Sequence, residues 1–326
     1  VTRLSLCLAL LLACAGSIAG AAGPLRIVVI SDLNGSYGST EYSTAVHDAV
    51  NATIALTPDL VLSTGDMVAG QRRPHLGEAE LRAMWRAFHA AVTEPLAAAG
   101  IPLAVTPGNH DGSAYPGFGK ERAIYREEWL AHRPSLKFIE PDTYPFFYAF
   151  DIGPARIVSL DATRVGQLDA AQMLALAHVF DGAGPARIVF SHLPLWPFAI
   201  GRETEIIGDP ALEDLLEQTG VDLHLSGHHH AFYPGYLDRF AAVSQSELGG
   251  GARRLIGEQA KSPRSITLLD IAEDGAIRVS ALAGPDFRKP LDMRALPPRL
   301  DTGHRVIRRI DTVKQAGVGL SDNAEY

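Results

Sequence analysis

The chain has 326 residues, 47% of them hydrophobic, which is enough for one large core. Its 29 basic and 37 acidic residues leave a formal charge of −8, which argues against nucleic acid and anionic membrane surfaces as default partners. An anionic substrate would have to be drawn in by local charge.

Residues 1–21 read as a secretory signal peptide: Arg3 is the positive start, 4–15 are apolar and leucine-rich, and the small residues "AGSIAGAAG" follow. Cleavage is expected after Ala19 or Ala21. The apolar stretch is short for a membrane span, so no stable membrane insertion is expected after cleavage. Lipid attachment at Cys14 is the alternative, although Leu12 is large for its position. Cys7 and Cys14 both lie in this segment, so the chain beyond it holds no thiol and can use neither disulfides nor thiolate ligands. That suits a secreted or bacterial periplasmic protein.

From there a strand is predicted over 25–31 and a helix over 43–56, with Ala45, Val46, Ala49 and Val50 on one face. A short strand at 60–63 precedes an alanine-rich helix over 78–99, ended by Gly100 and Pro102. A strand at 103–106 and a helix at 121–132 follow. The texture then changes: 146–152 and 155–160 flank Gly153-Pro154 and predict an antiparallel hairpin. Helices at 170–180 and 211–218 alternate with strands at 187–191 and 221–226, and later strands fall at 239–244, 265–271 and 277–281. The pattern predicts an α/β domain over 22–285, with two mixed sheets face to face and helices outside. Residues 286–326, rich in proline and arginine, are expected to form a solvated, partly ordered extension.

Five short motifs follow apolar runs: Asp32-Leu33-Asn34, Gly65-Asp66, Gly108-Asn109-His110-Asp111, Ser191-His192 and Gly227-His228-His229-His230. Loops after parallel strands gather at one sheet edge, where α/β proteins place their sites. Each motif alone is turn or cap chemistry; the set in this order suits a two-metal centre. Carboxylate, imidazole and amide donors without sulfur fit first-row metals such as Mn, Fe, Zn or Co. Asp66 is the candidate for the carboxylate shared between two cations. Two divalent ions would carry four positive charges against the two carboxylates Asp32 and Asp66, so such a centre attracts anions, and phosphate esters fit that demand.

These motifs, above all "TPGNHDG" at 106–112 and "LSGHHHAF" at 225–232, resemble the calcineurin-like metallophosphoesterase superfamily, which includes purple acid phosphatases and class III cyclic nucleotide phosphodiesterases. "SLDATRVGQLDAAQ" at 159–172 adds to the likeness, which spans roughly 25–232. The resemblance implies a four-layered αββα sandwich and a metal-dependent phosphoric ester hydrolase, monoesterase or diesterase. Its implied cofactor is two divalent or mixed-valence metal ions, with Mn or Fe favoured over Zn, and a metal-bound hydroxide attacks phosphorus in line. It assigns Asp32 and His230 to the first metal, Asp66 to the bridge, and Asn109, His192 and His228 to the second. His110 would face the substrate and Asp111 would orient it. His229 is expected to be structural, pointing away between two ligands in an extended segment.

The family pattern at the first motif is Asp-x-His; here Asn34 takes the histidine's place. Either its amide oxygen ligates, favouring Mn, Fe or Mg, or it holds a metal-bound water, or Tyr37 supplies a phenolate. The purple-enzyme tyrosine motif is absent, since 65–69 reads Gly-Asp-Met-Val-Ala. The expected partner is a small-molecule phosphate ester, with the oligomeric state left open. Arg72, Arg73 and Arg202 are candidates for a second phosphate, and Trp196 and Phe198 for a nucleobase or for covering a core edge. The alternative is an inactive member of the fold that binds phosphorylated ligands or acts as a scaffold.

Overall fold

The computed structural model describes residues 24–314 and 317–321, so the predicted signal peptide and both cysteines lie outside the described residues. Among the described residues no helix is long and apolar enough to cross a membrane. The first strand, β1 (Leu25–Ile30), is apolar without a break from Ile27 to Ile30, because both of its faces are covered there. It leads through a loop to α1 (Thr44–Ala55), which buries Ala45, Val46, Ala49 and Val50 on one face, as their spacing predicts. Then come β2 (Leu60–Ser63), α2 (Glu78–Phe88), a π turn over His89–Thr93 and α3 (Glu94–Ala98). The predicted 78–99 helix is therefore one rod with a widened turn, stopped by Gly100 at φ +75°. Next, β3 (Leu103–Val105) completes a parallel β1–β2–β3 set.

After α4 (Gly119–Ala131) the chain enters a second sheet through β4 (Lys137–Glu140), β5 (Tyr148–Ile152) and β6 (Ala155–Ser159). The predicted hairpin is present, with Ile152 opposite Ala155 across Gly153-Pro154. Crossovers through α5 (Ala170–Val179) and α6 (Pro210–Gln218) place β7 (Ala186–Ser191) and β8 (Leu223–Ser226) parallel to β6. Each of these two helices begins on an aspartate cap: Asp169 accepts from the Gln172 N–H and Asp209 from the Ala211 N–H. Strand β9 (Tyr233–Tyr236) pairs antiparallel with β10 (Ala241–Ser244), which runs parallel to β8. Strands β11 (Ser265–Ile271) and β12 (Ile277–Ala283) return to the first sheet beside β1.

The stretch after Pro285 differs from the expected solvated extension, because its strands join both sheets. In the first sheet β13 (Lys289–Pro290) and β16 (Val318–Leu320) pair with β12. In the second, β14 (Arg299–Asp301) and β15 (Val306–Arg309) add an antiparallel ribbon beside β9. Arginine and proline hid alternation that is nevertheless there: Leu300, Ile307 and Ile310 are buried.

The two sheets pack face to face with helices outside, the layered sandwich that was expected. Period-two alternation sorts the second sheet's side chains. Ile157, Ile188, Phe190, Leu223 and Leu225 point into the core shared with the first sheet. Val158, Val189 and Ala242 point the other way, into a second core with Leu176 of α5 and Leu212 and Leu216 of α6. The ends of β1, β2, β3, β7 and β8 are thereby fixed at one edge, and all five motifs begin within three residues of those ends.

Candidate metal centre

The loops leaving these strands are tight. Asp32, Asp66, His228 and His230 all adopt left-handed backbone, at φ +50°, +54°, +64° and +51°. For non-glycine residues this costs about 1–2 kcal/mol each. The 228–230 segment is thus not extended as expected; reversed φ values, not strand alternation, aim its side chains. Close approach also requires glycine. A Cβ on Gly108 would lie 2.2 Å from the Asp66 N and Oδ1, and one on Gly227 would lie 2.3 Å from the Ser31 hydroxyl.

Asp66, His192 and His228 are buried together, with donor atoms all within 4.8 Å of one another. His192 Nδ1 lies 2.9 Å from the Thr64 carbonyl and so carries the proton, leaving the Nε2 lone pair facing inward. His228 Nε2 lies 2.9 Å from the Glu205 carboxylate, so its Nδ1 lone pair also faces inward. The Asn109 amide is oriented by its Nδ2, which donates to the Gln71 side chain at 2.9 Å, turning Oδ1 to the same point. Around His192 Nε2 therefore stand Asn109 Oδ1 at 2.9 Å, His228 Nδ1 at 3.2 Å and Asp66 Oδ2 at 3.3 Å. Four lone-pair donors face one another with nothing to donate between them. Only a cation or a captured proton relieves that repulsion. Burial alone would lower the His192 pKa, yet the Asp66 and Asp32 carboxylates raise it to about 9, so a proton fills the place in the metal-free protein. The donor set, neutral nitrogen and amide oxygen beside a carboxylate, fits a first-row divalent ion.

A second pair sits alongside. His230 Nε2 is 3.1 Å from Asp32 Oδ1, with its Nδ1 turned to the Gly251 carbonyl at 3.3 Å. Asp32 is held by the Ser31 hydroxyl, itself bonded by Thr64, and by the His228 N–H at 3.1 Å. Burial opposes ionisation of Asp32, but His230 and His192 hold its pKa below the usual value. Asn34 is half-buried. Its N–H donates to the Asp66 carbonyl at 3.1 Å, and its side chain makes no hydrogen bond among the described residues. Tyr37 lies at the cavity, its ring 5.2 Å from His110; burial and then Asp66 raise its pKa, which keeps it a phenol rather than a phenolate in the metal-free protein.

His110 also lies on Asp66: its N–H donates to Oδ1 at 2.8 Å, and its Nε2 is 3.8 Å from Oδ2. Its Nδ1 is buried without a partner, so Asp111 does not bond the His110 ring as expected. The Asp111 carboxylate instead accepts the Gly108 and Met67 N–H groups at 2.6 and 2.7 Å, tying the loop after β3 to the loop after β2. Burial and the neighbouring Asp66 raise its pKa to about 7. His229 is structural: Nδ1 accepts the Phe198 N–H and Nε2 donates to the Glu205 carbonyl. A cavity of about 340 Å³ opens above these groups, lined by Asp66, Asn109, His110, His228 and His230 and by Gln71, Arg202, Glu205 and Arg253. Trp196 and Phe198 lie elsewhere: Phe198 is in the second core, and the Trp196 indole N–H donates to Glu213. Arg73 bonds the Pro116 carbonyl.

Sequence reasoning missed Glu205, Gln71 and Arg253. The first two fall in polar loops without periodicity, and the only signal would have been an acid or amide near strand-end histidines. A further group, His89, Glu128 and His132, gathers between α2 and α4. Its two imidazoles stack 3.6 Å apart and 17° from parallel, so their in-plane lone pairs do not converge.

Among curated proteins none matches the sequence. Solved structures share its fold, among them these three. The purple acid phosphatase PPD1 from yellow lupin (Lupinus luteus) seeds is 18% identical, covering 79% of this chain and 51% of its own, with a TM-score of 0.57. This chain thus spans about half the length of the lupin protein. A dimetal phosphatase from Danio rerio is 15% identical over 80% of this chain and 96% of its own, with a TM-score of 0.53. GAP50, the anchor in the inner membrane complex of Plasmodium, is 11% identical over 93% and 98%, with a TM-score of 0.55. The fold thus also serves a protein described as an anchor, so the fold alone does not decide activity. The model for the calcineurin-like phosphoesterase domain matches residues 25–232, the interval that contains every loop converging on His192 Nε2. On that match the chain belongs to the calcineurin-like phosphoesterases.

Proposed function

We propose that the protein hydrolyses phosphate esters at a binuclear metal centre. The observation that supports this is the set of facing lone pairs around His192 Nε2, which a cation would satisfy once it displaced the captured proton, with Asp66 available to be shared with the Asp32–His230 pair. Asn109, His192 and His228 would hold one ion, Asp32 and His230 the other, and Asp66 both. When bound, the ions supply a hydroxide nucleophile at neutral pH and neutralise charge on the phosphoryl oxygens. The protein's own groups do the rest. Thr64, Glu205 and Gln71 fix the tautomers of His192 and His228 and the Asn109 amide, so no reorganisation is needed when charge develops. His110, whose ring lines the cavity beside Asp66, is placed to donate to the departing oxygen. Asn34 adds neutral oxygen at most, so the charge balance of the centre does not depend on it.

Purified protein reconstituted with Mn²⁺ is expected to hydrolyse p-nitrophenyl phosphate or bis-p-nitrophenyl phosphate. Chelation should abolish turnover and Asp66→Ala should lose it by roughly a hundredfold or more, the scale of removing a shared ligand. Turnover that survives both treatments overturns the mechanism. Phosphate binding without turnover across a panel of esters leaves a binding protein on the same fold.

A further inference from the structure

Most of the protein's part-buried arginines are matched by carboxylates. Arg156 is met by Asp151 and two backbone carbonyls, Arg122 by Asp161, Arg264 by Glu247 and Arg309 by Asp311. The site cavity holds two that are less fully matched. Arg253 has no acceptor for its side chain among the described residues, and its Nε is buried without a partner. Arg202 shares the single carboxylate of Glu205 with His228, and its Nε is likewise buried and unmatched. Both guanidinium groups line the cavity that His228 and His230 line. They are close enough to repel, which, after burial, is what pulls the Arg253 pKa down. The backbone holds Arg253 there: its N–H donates to the His230 carbonyl at 3.1 Å and its carbonyl accepts the Ser262 N–H at 2.7 Å. A part-buried guanidinium with no acceptor in the protein leaves N–H donors at the cavity for solvent or a ligand to meet.

We propose that Arg253, with Arg202 beside it, binds a second anionic group on the substrate, so that the preferred ester is a phosphomonoester whose leaving group carries a carboxylate or another phosphate. This rests on the hydrolytic reading above. There the scissile phosphoryl group is already met by the cation positions and His110, and the two arginines outnumber the one carboxylate between them. A surplus fork of N–H donors is the match for a further planar or tetrahedral anion. The 340 Å³ cavity holds more than a phosphoryl group alone. Tyr37 and Tyr115, also at the cavity, give the body of such a leaving group an aromatic surface.

The test compares Mn²⁺-loaded wild type, Arg253→Gln and Arg253→Lys on p-nitrophenyl phosphate and 4-carboxyphenyl phosphate, with circular dichroism to confirm folding. Wild type should prefer the carboxylated ester. The ratio of the two kcat/KM values should fall about tenfold in Arg253→Gln, the scale of one charge-assisted hydrogen bond, chiefly through KM, and recover in part in Arg253→Lys. An unchanged ratio, with both esters slowed alike, means Arg253 serves the scissile phosphoryl group and overturns the proposal. A second arm needs no turnover: calorimetric titration of the chelator-treated protein with pyrophosphate. Binding about tenfold weaker in Arg253→Gln supports the anion site even if no ester is hydrolysed; equal binding in both proteins overturns it.

Discussion

His192 is where the chemistry of the centre can be read one proton at a time. Burial works against charge on its ring, but Asp66 and then Asp32 raise its pKa to about 9. A metal ion needs the Nε2 lone pair and must displace that proton whenever the pH is below about 9. The sign follows: apparent affinity rises with pH, by up to about tenfold per unit, and levels off near pH 9. His230, whose pKa Asp32 raises against burial, adds to the steepness. Calorimetric titration of Mn²⁺ from pH 6.5 to 9.5, in two buffers of different ionisation heat, should show at least one proton released per centre at neutral pH. An affinity that is flat from pH 6.5 to 8.5 would mean that His192 is already neutral and that the lone-pair argument fails. Glu205 remains an acceptor throughout this range, because its hydrogen bond to His228 lowers its pKa.

At the scale of elements, the sequence carried most of what positions the site. Strands such as 25–30 and 186–191 hold apolar runs, 27–30 and 188–190, too short for helices, and their loops hold the motif residues at fixed offsets. Asp32, Asp66, Asn109, His110, His192, His228 and His230 were legible for that reason. Glu205 was not, because it reaches His228 from an irregular loop, and Asp111 was read as a partner of His110 because adjacency in sequence does not show which N–H groups a carboxylate meets. Strand β9 was hidden by Pro234 and Gly235, which argue against a strand interior until β10 and β15 are seen on either side. The β14–β15 ribbon was hidden by its arginines. Arg309 sits inside as a connector, donating to the Arg294 carbonyl and pairing with Asp311. If the ribbon is part of the fold, Ile307→Ala removes fully buried side-chain volume and should cost about 2–5 kcal/mol in urea unfolding. A solvated extension would give a change within about 0.5 kcal/mol, and that result would detach the ribbon from the core.

For the whole molecule, buried histidines of opposite bias shape stability against pH. Burial lowers the pKa of His224 to about 4, and burial followed by His132 lowers that of His89 to about 3. In the unfolded chain both titrate near 6.5. Above that pH they are neutral in both states and contribute no slope. Between about 6.5 and 4 the unfolded chain takes up protons that the folded chain refuses, so stability falls on acidification by about 1.4 kcal/mol per unit per histidine. His192 has the reverse bias. Its contribution is full below about 6.5 and is lost as pH rises through about 9, so these three histidines together favour the metal-free fold most near pH 6.5. Bound metal removes the alkaline loss, since the ion replaces the proton. The acid limb can be isolated with one substitution, because Ser191, the partner of His224, still donates to the Leu193 carbonyl when the imidazole is gone. Urea unfolding with chelator present, at pH 7.5, 6.5, 5.5 and 5.0, should show His224→Leu losing about 1–2 kcal/mol less than wild type between pH 6.5 and 5. Its stability at pH 7.5 is expected to be somewhat lower than that of wild type for loss of the hydrogen bond. Parallel curves for the two proteins would mean that His224 titrates normally inside the fold, contrary to its burial on β8.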